Sequence, residues 1–164
     1  MLQGRVVVFD TGYQTVSVVQ DLLELKLAAT QAGYILRAKI MQSSEEASTE
    51  AEELQVNLKR ATGSFTSGSG GGTATVVKGQ SGDAAHGLSA IERNNTTQAV
   101  AGTGTLETIE PGVFNVLAGE WEFAGTPELM FPLGQSEAAV LSVDEAPADA
   151  ITMRGIIALL ITHG

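Results

Sequence analysis

Cysteine is absent from the 164 residues, which excludes disulfide frameworks, thiolate metal sites and cysteine nucleophiles. Charged residues make up only 17%, against about 25% in ordinary soluble domains. Bases are the scarcer sign: nine Lys and Arg face nineteen Asp and Glu, for a formal charge of −10. A surface that coats nucleic acid needs dense Lys and Arg to displace counterions, so no nucleic-acid partner is expected. Aromatics amount to one Trp, two Tyr and five Phe. A stacking platform for sugars or single strands would draw on most of the rings that a core needs. Long apolar runs are missing too. The longest, Ile156 to Ile161, is six residues and cannot cross a bilayer, and Val6 to Phe9 is too short for a signal h-region. The expectation is a chain made in a cytoplasm with no membrane partner, in which the sequons at Asn94 and Asn95 are turn chemistry.

What remains describes one domain over residues 1–164. A chain of this length buries roughly 70% of its unfolded surface without staples. Apolar residues at 43% supply a core, and 19 Gly suggest turns and strands. The charge is uneven. From Asn94 to Met153, sixty residues, there is no base, while nine acids occur. Those acids are either solvated, or meet cations from elsewhere in the fold, or form an acidic surface that seats on a basic partner.

The dominant period is two. Leu23, Leu25 and Leu27 alternate with Glu24 and Lys26, which predicts a half-buried strand, with a helix over Ser17 to Ala28 as competitor. Leu36, Ala38 and Ile40 alternate within Tyr34 to Gln42, and Leu54, Val56 and Leu58 form a third alternating run. Shorter strands are predicted at Thr73 to Val77, Ala99 to Ile109, Gly112 to Leu117, Glu120 to Ala124 and Ala138 to Val143. Ile151 to Thr162 reads as a central strand buried on both faces. Turn signals at Glu110-Pro111-Gly112, Ala118-Gly119, Gly125-Thr126-Pro127 and Pro132-Leu133-Gly134 separate these runs. The pattern predicts an all-β, jelly-roll-like antiparallel β-sandwich. Two segments interrupt it: an acidic loop from Ser43 to Glu53, with Glu45, Glu46 and Glu50, and a flexible glycine-rich loop from Gly63 to Gly72, with one aromatic, Phe65.

Motifs for chemistry are weak. Gly70-Gly71-Gly72 runs into a strand-like segment, with no Gly-Lys-Ser/Thr opening a helix to cradle phosphate, so the segment reads as a contact loop. His86 and His163 stand alone without metal-ligand spacing, and no nucleophile elbow occurs. Glu120 and Glu122 would lie about 7 Å apart on one strand face, like a glycosidase pair. Catalytic pairs normally come from different elements across a cleft, so the two read as a solvent face, with Trp121 and Phe123 turned inward. Asp144, Glu145 and Asp149 lack the spacing of a calcium loop. No catalytic residue, metal or cofactor is expected.

Four stretches carry a family resemblance. They are Gln42-Ser43-Ser44 with Glu53-Leu54-Gln55-Val56-Asn57-Leu58-Lys59-Arg60; Asn94-Asn95-Thr96-Thr97; Phe114-Asn115-Val116 with Gly119-Glu120-Trp121-Glu122-Phe123 and Thr126-Pro127-Glu128; and Ala146-Pro147-Ala148-Asp149-Ala150-Ile151-Thr152-Met153-Arg154-Gly155. With them the chain resembles the small β-sandwich proteins encoded beside the major capsid protein in tailed phages, many of them head decoration or cement proteins. The resemblance spans about two thirds of the chain. It implies a non-enzymatic virion protein on the capsid surface, whose partners are the major capsid protein and its own copies, as a homotrimer. On that reading Glu45, Glu46, Glu50, Phe65, Gly70 and Gly71 are candidate partner contacts, and Trp121 and Phe123 lie at the core and the intersubunit surface. A neck, tail or fibre-base component, a carbohydrate-binding sandwich, and a small hydrolase using Glu120 and Glu122 are the rivals.

Overall fold

The computed structural model describes residues 4–44, 52–117, 119–126 and 128–163. Its strands are β1 (Arg5–Asp10), β2 (Gln14–Val16), β3 (Gln20–Leu27), β4 (Gln31–Gln42), β5 (Glu53–Thr62), β6 (Gly72–Thr73), β7 (Thr75–Lys78), β8 (Leu88–Asn95), β9 (Thr105–Asn115), β10 (Glu120–Ala124), β11 (Phe131–Leu133), β12 (Ala138–Val143) and β13 (Ile151–His163). They form two antiparallel sheets facing each other. The first runs β10-β4-β13-β1-β7, with β11 also on β4 and β2 on β13, and the second runs β6-β8-β3-β12-β5-β9. The chain is an all-β sandwich.

The core is made by the period-two residues that the sequence displays. Leu23, Leu25 and Leu27 from β3, Leu54, Val56 and Leu58 from β5, and Ile157, Leu159 and Ile161 from β13 meet between the sheets. Each fully buried side chain of this kind contributes about 1.5–3 kcal/mol. Register shifts in four of the strand pairings adjust the pattern, and two of them move core positions. Leu23 pairs with Leu141 but Asp21 with Ser142, and Leu22 and Leu23 are both fully buried in the core. Likewise Leu159 faces Ile35 and Ala158 faces Arg37. Leu36 is the extra residue there, so the core positions of β4 are Ile35, Ala38 and Ile40, with Leu36 out of step.

Five expectations need correction. The strand expected over Ala99 to Ile109 begins only at Thr105, because the residues before it bridge to the glycine-rich segment instead. Glu110-Pro111-Gly112 is no turn: β9 runs straight through it, pairing only with β5. Proline is tolerated because β9 is an edge strand and no ladder bond is lost. Pro132, also expected in a turn, lies in β11, which pairs only with β4. Thr73 to Val77 splits, β6 ending in the second sheet and β7 joining the first. Lastly, β13 is central, but its solvent side (Thr152, Arg154, Ile156, Ala158, Leu160) is only half-buried. Strands β1, β2 and β8 fall outside the predicted set; β8, Leu-Ser-Ala-Ile-Glu-Arg-Asn-Asn, is too polar to show a period.

The β9 and β10 edges close one side of the sandwich. A Cβ at Gly112 would run into the Trp121 indole, so the glycine is what lets that ring lie against β9.

Candidate functional site

The two sheets differ on their solvent sides. On β3 the core takes Leu23, Leu25 and Leu27, so Asp21, Glu24 and Lys26 face away from it. In the half-buried strand expected from the alternation, these would be solvated. Instead Asp21 is 1% and Glu24 0% exposed. The reason is a cover. The glycine-rich segment and the stretch around Thr97–Val100 bridge to each other, Thr66 to Val100 and Ser69 to Thr97, and both are tied to β3 beneath them. Gly68 donates its amide to Glu24 Oε2 at 2.8 Å, and Ala99 donates its amide to Asp21 Oδ2 at 2.6 Å.

Phe65 is the apolar anchor of this cover. It is 8% exposed and packs with Ala61, Ala99, Ala138 and Val140, a second small core outside the second sheet. The Lys26 ammonium sits 4.8 Å from its ring centroid, a cation–π contact. The segment expected as a flexible loop with Phe65 free for a partner is therefore fastened down, with Phe65 spent on the fold. Burying an aromatic outweighs the entropy of ordering a few glycines only when other ties share that cost. The two bridges and the Glu24 bond supply them.

Beside the cover lies a polar network. Asp144 is bound by Lys59 Nζ at 2.7 Å, by Asn57 Nδ2 at 2.6 Å and by Gln98 Nε2 at 2.8 Å. Burial pushes the Asp144 carboxyl up, but bonds from Lys59, Asn57, Gln98 and Ser142 outweigh it and hold the group below the usual carboxylate range. Asp21 goes the other way. Burial drives it up to about 7; the Ala99 amide and Lys59 oppose the rise, and Glu24 and Asp144 add to it. Glu24 keeps one buried oxygen, Oε1, without a hydrogen-bond partner among the described residues.

At the outer lip of the cover, Gly68 to Thr73, Glu92 and Asn95 line an open groove of about 330 Å³. Asn95 donates to Glu92 Oε2 at 2.8 Å. Gly70 has φ +89, and a Cβ at Gly71 would overlap the Arg93 carbonyl. Only glycine allows this backbone to turn and lie directly on β8.

Of the candidate contacts, Gly70 and Gly71 thus stand exposed on the groove, whereas Phe65 is buried beneath it. Glu45, Glu46 and Glu50 lie outside the described residues. Trp121 and Phe123 are turned to the core, Trp121 half-buried and Phe123 8% exposed. Glu120 and Glu122 face solvent and pair with β4, Glu120 with Lys39 at 2.7 Å and Glu122 with Arg37 at 2.8 Å. With Glu107 on Arg60 and Asp144 on Lys59, acids of the base-free stretch meet cations from elsewhere in the fold. His86 accepts the Leu88 amide on Nδ1 at 3.0 Å and stands edge-on to Phe9. Burial, then Arg5 and Lys78, lower its pKa. Among the described residues no group of three or more His, Asp or Glu is gathered so as to hold a metal ion.

Composition and spacing gave no site role to Asp21, Glu24, Glu92 and Gln98, and marked Asn95 as turn chemistry, whereas it ends β8. Glu24 looked like the polar half of an alternating strand. The one available signal was Phe65, a lone aromatic in a glycine-rich stretch that needs somewhere to go.

No family model, no curated protein and no solved structure matches the chain.

Proposed function

We propose that the chain is a virion structural protein that binds the outside of a phage capsid and stabilises it, as a head decoration or cement protein. The observation that supports this reading most is the glycine-rich lip. Gly70, Gly71, Gly72 and Thr73 present exposed backbone on a segment already fixed from below by Glu24, Phe65 and the two bridges. A surface held in one conformation loses little further entropy on docking. Copies repeated over a shell turn a weak contact into high occupancy, and binding to the assembled shell stabilises it by mass action. The formal charge of −10 favours a basic protein partner and a place outside the shell, away from the packaged genome. The partner is the major capsid protein.

The test is co-sedimentation with capsids assembled without the chain, taken from the phage that encodes it. The chain should pellet with shells and raise the temperature at which they open. Ser69→Arg and Thr73→Arg, both exposed substitutions on the lip, should weaken pelleting at least tenfold while leaving the melting temperature of the free chain in place. Full binding by both variants, or none by the parent chain, contradicts the reading.

The groove supports a second reading as a carbohydrate-binding module. Glu92 and the exposed backbone of Ser69 to Thr73 offer the mixed donors and acceptors that sugar hydroxyls need. A glycan-array signal that is lost in Glu92→Ala would favour it over the capsid reading.

A further inference from the structure

Among the described residues, the solvent side of the first sheet carries no counterpart to the cover on the second. Val7, Phe9, Ile157, Leu159 and Ile161 point into the core, so their strand neighbours point out. The register then sets Val6, Leu160 and Tyr34 in one row, and Val77, Val8 and Ala158 in the next. Val6 is 38% and Val77 53% exposed, and the others are half-buried. Arg37 continues the second row past Ala158, and with the residues beyond it come three ion pairs, Asp10 with Arg154, Glu122 with Arg37 and Glu120 with Lys39.

We infer that this face packs against the same face of a second copy of the chain. Charge is the first argument. Three acids and three bases cancel on this face, in a chain whose formal charge is −10. Two copies repel one another over most orientations, and least where each presents a neutral surface. A strongly basic partner gains no attraction here, whereas a second copy brings a matching apolar row and a rim of both signs. Area is the second argument. Five strands of four to thirteen residues, at about 3.3 Å per residue and about 4.8 Å between strands, give a face of roughly 600 Å². A pair buries about 1,200 Å², the low end for a specific interface, so the association is reversible. A single face used by both partners closes with two-fold symmetry. The geometry thus points to a pair where the family resemblance implied a trimer. The inference stands whether or not the chain binds a shell.

Sedimentation equilibrium over a broad concentration range tests it. A monomer–dimer equilibrium is expected, weakened at least tenfold by Val77→Glu and by Val6→Glu. Val113→Glu, at an apolar residue 57% exposed on β9, should change it less than twofold. Raising NaCl should tighten the pair, because screening removes the net repulsion. A monomer at every concentration, a trimer, association weakened by salt, or equal loss in Val113→Glu would each overturn the inference. Because Val6 and Val77 are side chains at the surface, circular dichroism of the variants separates lost association from lost folding.

Discussion

The Glu24 carboxylate, in the middle of β3, accepts the amide proton of Gly68 at 2.8 Å, and both residues are buried. This bond joins the second sheet to a segment that composition alone marks as a tether. It makes the glycine-rich stretch part of the folded unit.

Phe65→Ala should therefore destabilise the chain by about 3 kcal/mol or more, as for a core phenylalanine. A phenylalanine in a free loop would cost within about 0.5 kcal/mol. Urea unfolding followed by Trp121 fluorescence measures the difference. The amides of Thr66, Gly68 and Ser69, which donate to Val100, Glu24 and Thr97, should exchange with solvent far more slowly than those of Gly63 and Ser64.

Stability should fall as pH rises from about 4 to about 7 through Asp21. Its folded-state pKa is raised by burial to about 7, from an ordinary 3.8. Between those values the folded chain keeps a proton that the unfolded chain releases, so each step up in pH favours unfolding. The full loss above pH 7 is of order 4 kcal/mol. Asp21→Asn, which keeps an acceptor for the Ala99 amide, should flatten the slope of urea midpoint against pH over this window.

Below that window the sign reverses. The bond from Arg154 holds the Asp10 carboxyl below its ordinary value, and Asp144 is likewise lowered on balance. Groups of this kind stabilise above the unfolded-state pKa and lose that contribution as pH falls through the folded one. The urea midpoint should therefore pass through a maximum near pH 4. In Arg154→Met the acid limb should become shallower.

Glu120→Gln and Glu122→Gln should each cost no more than about 1 kcal/mol, since both are partly exposed pairs with β4. Trp121→Ala should cost several times more, because the ring packs on the core and over Gly112. Thermal unfolding of the three variants checks the order. A larger loss for the glutamates than for the tryptophan would contradict the assignment of faces.

The sandwich was legible in the sequence wherever one sheet face is core and the other water. Leu54, Val56 and Leu58 of β5 show it. Legibility failed where a second layer covers the outer face. Glu24 then sits between leucines as a buried anchor, and an alternating pattern cannot distinguish that from solvation. It failed also at edges, where Pro111 and Pro132 sit inside strands because an edge has a ladder side to spare. The inward turn of Trp121 and Phe123 was readable from their exposed Glu neighbours. The trimer rested on no residue, and the register of the first sheet, which no single strand reveals, points to a pair.

The proposed capsid role is tested most directly by electron cryomicroscopy of virus particles from the genome that encodes the chain. The account predicts sandwich-shaped density on the outer surface of the shell, with the edge carrying Gly68 to Thr73 turned toward the capsid protein. Density confined to the neck or tail, or a shell-bound sandwich with that edge facing solvent, would contradict it.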